Sequence, residues 1–105
     1  MKLFKERDIF SAYDYAMAGG QALHESTPGP YPNTPVCFKR AKKWAHLFDQ
    51  DEKRLTATAL GFGVRVIKVS HRGDKRQHID LCGKPLENAM SQAKKDLEIE
   101  GLGGE

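Results

Sequence analysis

Cysteine is scarce in this 105-residue chain: Cys37 and Cys82 are the only two. Thiols so few and so far apart suggest neither a disulfide framework nor a metal pair of the Cys-x-x-Cys type. Both are expected as reduced thiols that pack as small hydrophobes. No apolar run approaches the roughly 20 residues needed to span a bilayer, which excludes a membrane helix. No charged-then-apolar leader opens the sequence, so a cytoplasmic protein is expected. Internal repeats, low-complexity blocks, a glycine-rich phosphate loop and a paired-carboxylate motif are all missing. Charge of one sign does not dominate either, with 17 Lys and Arg against 14 Asp and Glu for a net +3. The length allows one small domain over residues 1–105.

The chain does carry clear patterning. Phe10, Tyr13, Met17, Gly20 and Leu23 recur at three- and four-residue spacing, which predicts a helix over Asp8–Leu23. Four prolines crowd Glu25–Pro35, a segment that neither continues a helix nor enters a central strand. Thr34 and Pro35 read as an N-cap and first helical position. The helix that follows carries Cys37, Ala41, Trp44 or Ala45, and Phe48 on one face. Glu52–Leu60 reads as another helix, with Leu55, Ala59 and Leu60 inward and Gly61 or Gly63 as its stop.

From Val64 the period becomes two. Val64–Val69 and His78–Cys82 read as strands of an antiparallel hairpin near 64–82, joined by the polar turn Arg72–Gln77. A last helix opens at Gly83-Lys84-Pro85, and residues 98–105 are expected to fray. With a short strand over Lys2–Lys5, the expected fold class is α+β: three to four helices packed on a small, mostly antiparallel sheet.

Two groups of residues suit chemistry. Along His78–Cys82, Ile79 and Leu81 point to one face, and His78 and Asp80 share the other, about 6–7 Å apart. A His-x-Asp on one strand face suits metal ligation, or a base with an orienting carboxylate. The outer polar face of a two-layer fold carries the same pattern. His46 lies on the helix that presents Trp44, and either a ligand or a hydrogen-bonded helix residue fits there. His24 and His71 have weaker claims. The second group is basic: Lys39, Arg40, Lys42 and Lys43 in Val36–Phe48, and Arg65, Lys68, Arg72, Lys75 and Arg76 further on. If helix and hairpin share a face, these form a patch suited to a polyanion.

Trp44-Ala45-His46-Leu47, then Leu55, Ala59 and Gly63-Val64, and later His78-Ile79-Asp80-Leu81-Cys82 with Lys84 and Ala89, resemble the domain of unknown function 4031 family. This small bacterial and phage family opens on Trp-x-His-Leu, continues with Leu-x-x-x-Ala-x-x-x-Gly, and carries a His-Tyr-Asp segment. The resemblance runs from Trp44 to about Ala93 and marks His46, His78 and Asp80. Three departures stand beside it. Gln50, flanked by Asp49 and Asp51, occupies the family's Asp position, and Thr56 its second His. The connection before His78 is longer and more basic. Fusion of some members to HD-type phosphohydrolase domains implies nucleotide or phosphoester chemistry by association.

Two functions from different classes follow. The first is a non-catalytic module whose basic face (Lys39, Lys42, Lys43, Arg65, Lys68, Arg72, Lys75, Arg76) binds a phosphate-rich ligand, nucleic acid or nucleotide. The alternative is a metal-assisted phosphoester hydrolase, with a divalent metal held by His46, His78 and Asp80. A small phage-type protein that binds a host protein is a further alternative. Convergence of the three marked residues in one site discriminates the first two.

Overall fold

Trp44–Asp49 is a strand, and the fold is organised around it. The computed structural model describes residues 1–27 and 43–103. Within them lie β1 (Lys2–Phe4), a 3-10 turn (Glu6–Asp8), α1 (Ile9–Met17), β2 (Gln21–Ser26), β3 (Trp44–Asp49), α2 (Glu52–Phe62), β4 (His78–Leu81) and α3 (Gly83–Gly103). The four strands form one sheet in the order β1-β2-β3-β4. β1 runs parallel to β2, and the other two pairings are antiparallel. The α+β class therefore holds, with three helices and a mixed sheet among the described residues.

Period-two alternation gives the sheet two different faces. Leu23, Ala45, Leu47, Ile79 and Leu81 point to one side and pack with Leu55 and Ala59 of α2 and Ala89 and Ala93 of α3. Phe4, Ala22 and Phe48 point to the other and pack with Ala12 and Ala16 of α1, and Tyr13 and Tyr15 lean on this second cluster. α1 packs on β1, β2 and β3 of this second face.

Three sequence expectations change. The helix foreseen over Asp8–Leu23 ends at Met17, and Gln21–Ser26 is a strand. Phe10 and Met17, two residues of the supposed apolar stripe, are 72% and 57% exposed, while Ala12 and Ala16 are fully buried. Gly19, at φ 100°, supplies the left-handed turn out of the helix. Gly20 lies so close to Tyr15 that an added Cβ would come within 2.3 Å of its ring. Gly20→Ala is expected to destabilise the fold by about 1–3 kcal/mol through this overpacking. Urea denaturation of the variant checks it.

The helix foreseen across Trp44–Phe48 is replaced by β3. Most of that helix, and most of the proline-rich segment 25–35, fall outside the described residues, although Glu25 and Ser26 belong to β2. The hairpin near 64–82 is also replaced. β4 pairs with β3, and α2 intervenes between them in the chain. Val64–Val69 forms no strand: Val64, Ile67 and Val69 pack irregularly on the core, and Val66 is exposed. Ser70 pairs with β4 through an isolated bridge to His78. β4 takes the β3 edge through the buried Leu47–Ile79 register.

Helix ends follow their expected chemistry. Asp51 caps α2 by accepting from the Arg54 backbone N–H at 3.1 Å. Gly63, at φ 103°, closes the helix. α3 runs through residues 98–103, which the composition assigns to a frayed tail. Cys82 is buried as expected, but it is disulfide-bonded and not a free thiol. Spacing along the chain is silent on which distant thiols meet in space, and the thiol argument for a reducing compartment loses its basis. Cys37 lies outside the described residues.

At the end of β3, Asp49 is fully buried beneath Arg54, whose Nε and Nη2 reach its two carboxylate oxygens at 2.7 Å each. Gln21 Nε2 and the Asp51 backbone N–H donate to the same carboxylate at 3.0 and 2.9 Å. Arg54 Nη2 also donates to the carbonyls of Gly19 and Gly20. This cluster ties the α1–β2 turn to the start of α2.

Candidate metal centre

Beside the α1 cluster, the second sheet face carries histidine. Cross-strand register places Phe4, His24, His46 and Asp80 in one row across the sheet, and Ala22, Phe48 and His78 in the next. His46, His78 and Asp80 thus meet by strand pairing and not, as foreseen, by a helix crossing a hairpin. Each offers one ligand atom within 4.8 Å of the others. Asp80 Oδ1 lies 3.1 Å from His78 Nε2 and 3.6 Å from His46 Nε2. An ion bound at about 2.0–2.2 Å from nitrogen and oxygen holds its ligands about 3–3.6 Å apart, so these spacings fit one. His46 is half-buried, and the Asp80 side chain keeps 37% of its surface in solvent. The site is open on one side.

The far nitrogen of each imidazole is committed elsewhere. His78 Nδ1 meets the Arg76 carbonyl, which only accepts, so Nδ1 carries the proton. His46 Nδ1 faces Nδ1 of His24 at 3.2 Å, and the two rings stack with centroids 5.4 Å apart. Metal-bound histidines characteristically donate their second N–H to a carbonyl or another fixed acceptor. His78 has that partner in a backbone carbonyl.

Electrostatics agree with a cation-seeking site. Burial, then the nearby charge of His78 and of His24, push the His46 pKa down to about 4, against the opposing pull of Asp80. His46 is therefore neutral at neutral pH, with a lone pair available. Burial alone would raise the Asp80 carboxyl. The His78 hydrogen bond and the charges of His78, His46 and Lys68 outweigh it and hold Asp80 below the usual carboxylate range.

The basic residues are not brought together in the same way. Arg72 is taken by Glu52 at 2.8 Å and Arg76 by Asp74 at 3.1 Å. Lys75 sits over the Tyr13 ring at 5.6 Å. Arg65 and Lys68 are exposed, and Lys43 is exposed just before β3. Lys39 and Lys42 fall outside the described residues. The sequence pattern hides the part of His24, which stands beside the proline-rich segment and directly after the helical spacing that runs to Leu23. Had Ala22-Leu23-His24 been read with period two, His24 would have shared the Ala22 face. No protein-family model, curated protein or solved structure matches this chain.

Proposed function

We propose that the protein is a metal-assisted hydrolase of a phosphoester, with His46, His78 and Asp80 holding one divalent transition-metal ion. The observation that carries this reading is the convergence of two imidazole Nε2 atoms on one carboxylate oxygen. His46, whose pKa is held down to about 4, comes to that meeting point as a neutral imidazole. Two imidazoles and a carboxylate suit zinc, manganese or ferrous iron better than magnesium or calcium, which favour all-oxygen sites. An ion held by His46, His78 and Asp80 would supply Lewis-acid activation of water and of a phosphoryl oxygen near neutral pH.

The chain's own contribution is orientation and charge. Lys68 acts electrostatically on Asp80 and is exposed, which places a cation beside the site for an anionic substrate. Arg65 stands exposed on the same connection. A purely electrostatic docking module has less support, since Arg72 and Arg76 are already in ion pairs. The motif resemblance to the domain of unknown function 4031 family marks the same three residues, and we propose membership on that ground.

Calorimetric titration with zinc, manganese and magnesium tests the site. One zinc or manganese ion per chain is expected. In His46→Ala and His78→Ala the affinity should fall by more than the roughly 10–100-fold typical of losing a residue that hydrogen-bonds a ligand. Hydrolysis of bis(4-nitrophenyl) phosphate by the loaded protein should vanish in both variants. Binding unaffected by either substitution would leave the non-catalytic module. Binding without hydrolysis would overturn the catalytic part alone.

A further inference from the structure

We infer that His24, which touches no ligand position, is the positioning residue of this site: it fixes His46 in the tautomer that presents an Nε2 lone pair to the cation. The inference rests on the metal reading above, but its first test does not. His24 Nε2 lies 2.9 Å from the backbone carbonyl of Glu6. A carbonyl only accepts, so His24 carries its proton on Nε2. In a neutral ring Nδ1 is then an acceptor. His46 Nδ1, 3.2 Å away, must supply the proton for that contact. That leaves His46 Nε2 bare, on the side facing Asp80. The opposite polarity would set a His24 lone pair against the Glu6 oxygen at 2.9 Å.

The starting point of this relay is fixed by the fold. Glu6 opens the 3-10 turn directly after β1, and β1 runs parallel to β2 with Phe4 opposite His24. The Glu6 carboxylate accepts from the Thr27 hydroxyl at 2.8 Å and its backbone N–H at 3.3 Å, strapping the turn to the end of β2. His24 itself is 2% exposed and stacked on His46, with Phe48 beside both rings. A backbone carbonyl more than twenty residues from the first ligand thereby sets which nitrogen of His46 is basic. Hydrogen-bond partners of the ligating histidines orient them in many metal sites.

Long-range proton–nitrogen correlation spectra of the metal-free protein read the tautomers directly. His46 should be protonated at Nδ1 and His24 at Nε2. A His46 protonated at Nε2 would overturn the inference whether or not any metal binds. The second test uses variants. His24→Leu removes the acceptor and should weaken zinc or manganese binding by about 10–100-fold while releasing the His46 tautomer. His24→Asn places an amide oxygen near the former Nδ1 and should restore both. Unchanged affinity in folded His24→Leu would sink the positioning role. If His24→Leu does not fold, the wild-type spectrum and the Asn variant decide. A wild-type protein that binds no metal but shows these tautomers would refute the metal reading and leave the relay standing.

Discussion

Arg54→Met is expected to cost about 3–5 kcal/mol, a large share of the stability of a domain this size. The reason is an asymmetry within one ion pair. Asp49 has no solvent exposure, whereas the Arg54 side chain keeps 44% of its surface in water. Removing the arginine strands a buried carboxylate whose remaining donors are Gln21 and one backbone N–H. Removing the carboxylate's charge, in Asp49→Asn, leaves an arginine that turns into solvent. That variant should lose only the hydrogen bonds, about 1–3 kcal/mol.

The double variant Asp49→Asn/Arg54→Met should accordingly be more stable than Arg54→Met alone. Urea denaturation of the four proteins closes the cycle. Equal losses in the two single variants would show that desolvation of Asp49 is not the governing term. Arg54 also bonds the Gly19 and Gly20 carbonyls, so its loss should loosen the α1–β2 turn. Hydrogen exchange at the amides of residues 18–22 offers a local reading of that effect.

The site's residues were legible before its geometry was. Along His78–Leu81 the period of two is unambiguous, and it places His78 and Asp80 on one face. α2 announces itself through Asp51 at its start and Gly63 at its end. β3 does not. Trp44, Ala45, Leu47 and Phe48 satisfy helical spacing and strand alternation alike over six residues, and short apolar runs are ambiguous in this way. What decides them is pairing with Leu23 and Ile79, residues more than twenty positions away on either side. The Val64–Val69 run shows the converse: strong local strand propensity, yet this segment reaches the outer edge of β4 by one bridge alone, at Ser70. The meeting of His24, His46 and Asp80 is a property of register. It depends on three strands that sequence patterning alone could not align.

The metal-free protein should lose about 2–3 kcal/mol of stability as the pH falls from about 6.5 to 4, and His46→Asn should lose less over the same window. Burial, followed by the charges of His78 and His24, outweighs Asp80 and lowers the His46 pKa from 6.5 to about 4 in the folded state. A depressed histidine value means that the fold disfavours the charged ring. Between those two pH values the unfolded chain binds a proton at this position that the folded chain does not. Stability therefore rises with pH across the window. His46 contributes fully above about 6.5, where both states are neutral, and adds no further loss below about 4, where both are charged. Each tenfold change in proton affinity is worth about 1.4 kcal/mol, and the ring's residual exposure trims the total to the stated range. Asp80 does not blur the comparison. Its folded value lies below the ordinary carboxylate range, so its contribution disappears only at still lower pH. Urea midpoints at pH 7.5, 6, 5 and 4.5, at constant ionic strength and with a chelator present, give both slopes. Parallel slopes for the two proteins would mean that His46 meets no penalty for charging in the fold, contrary to its placement between His24, His78 and Phe48.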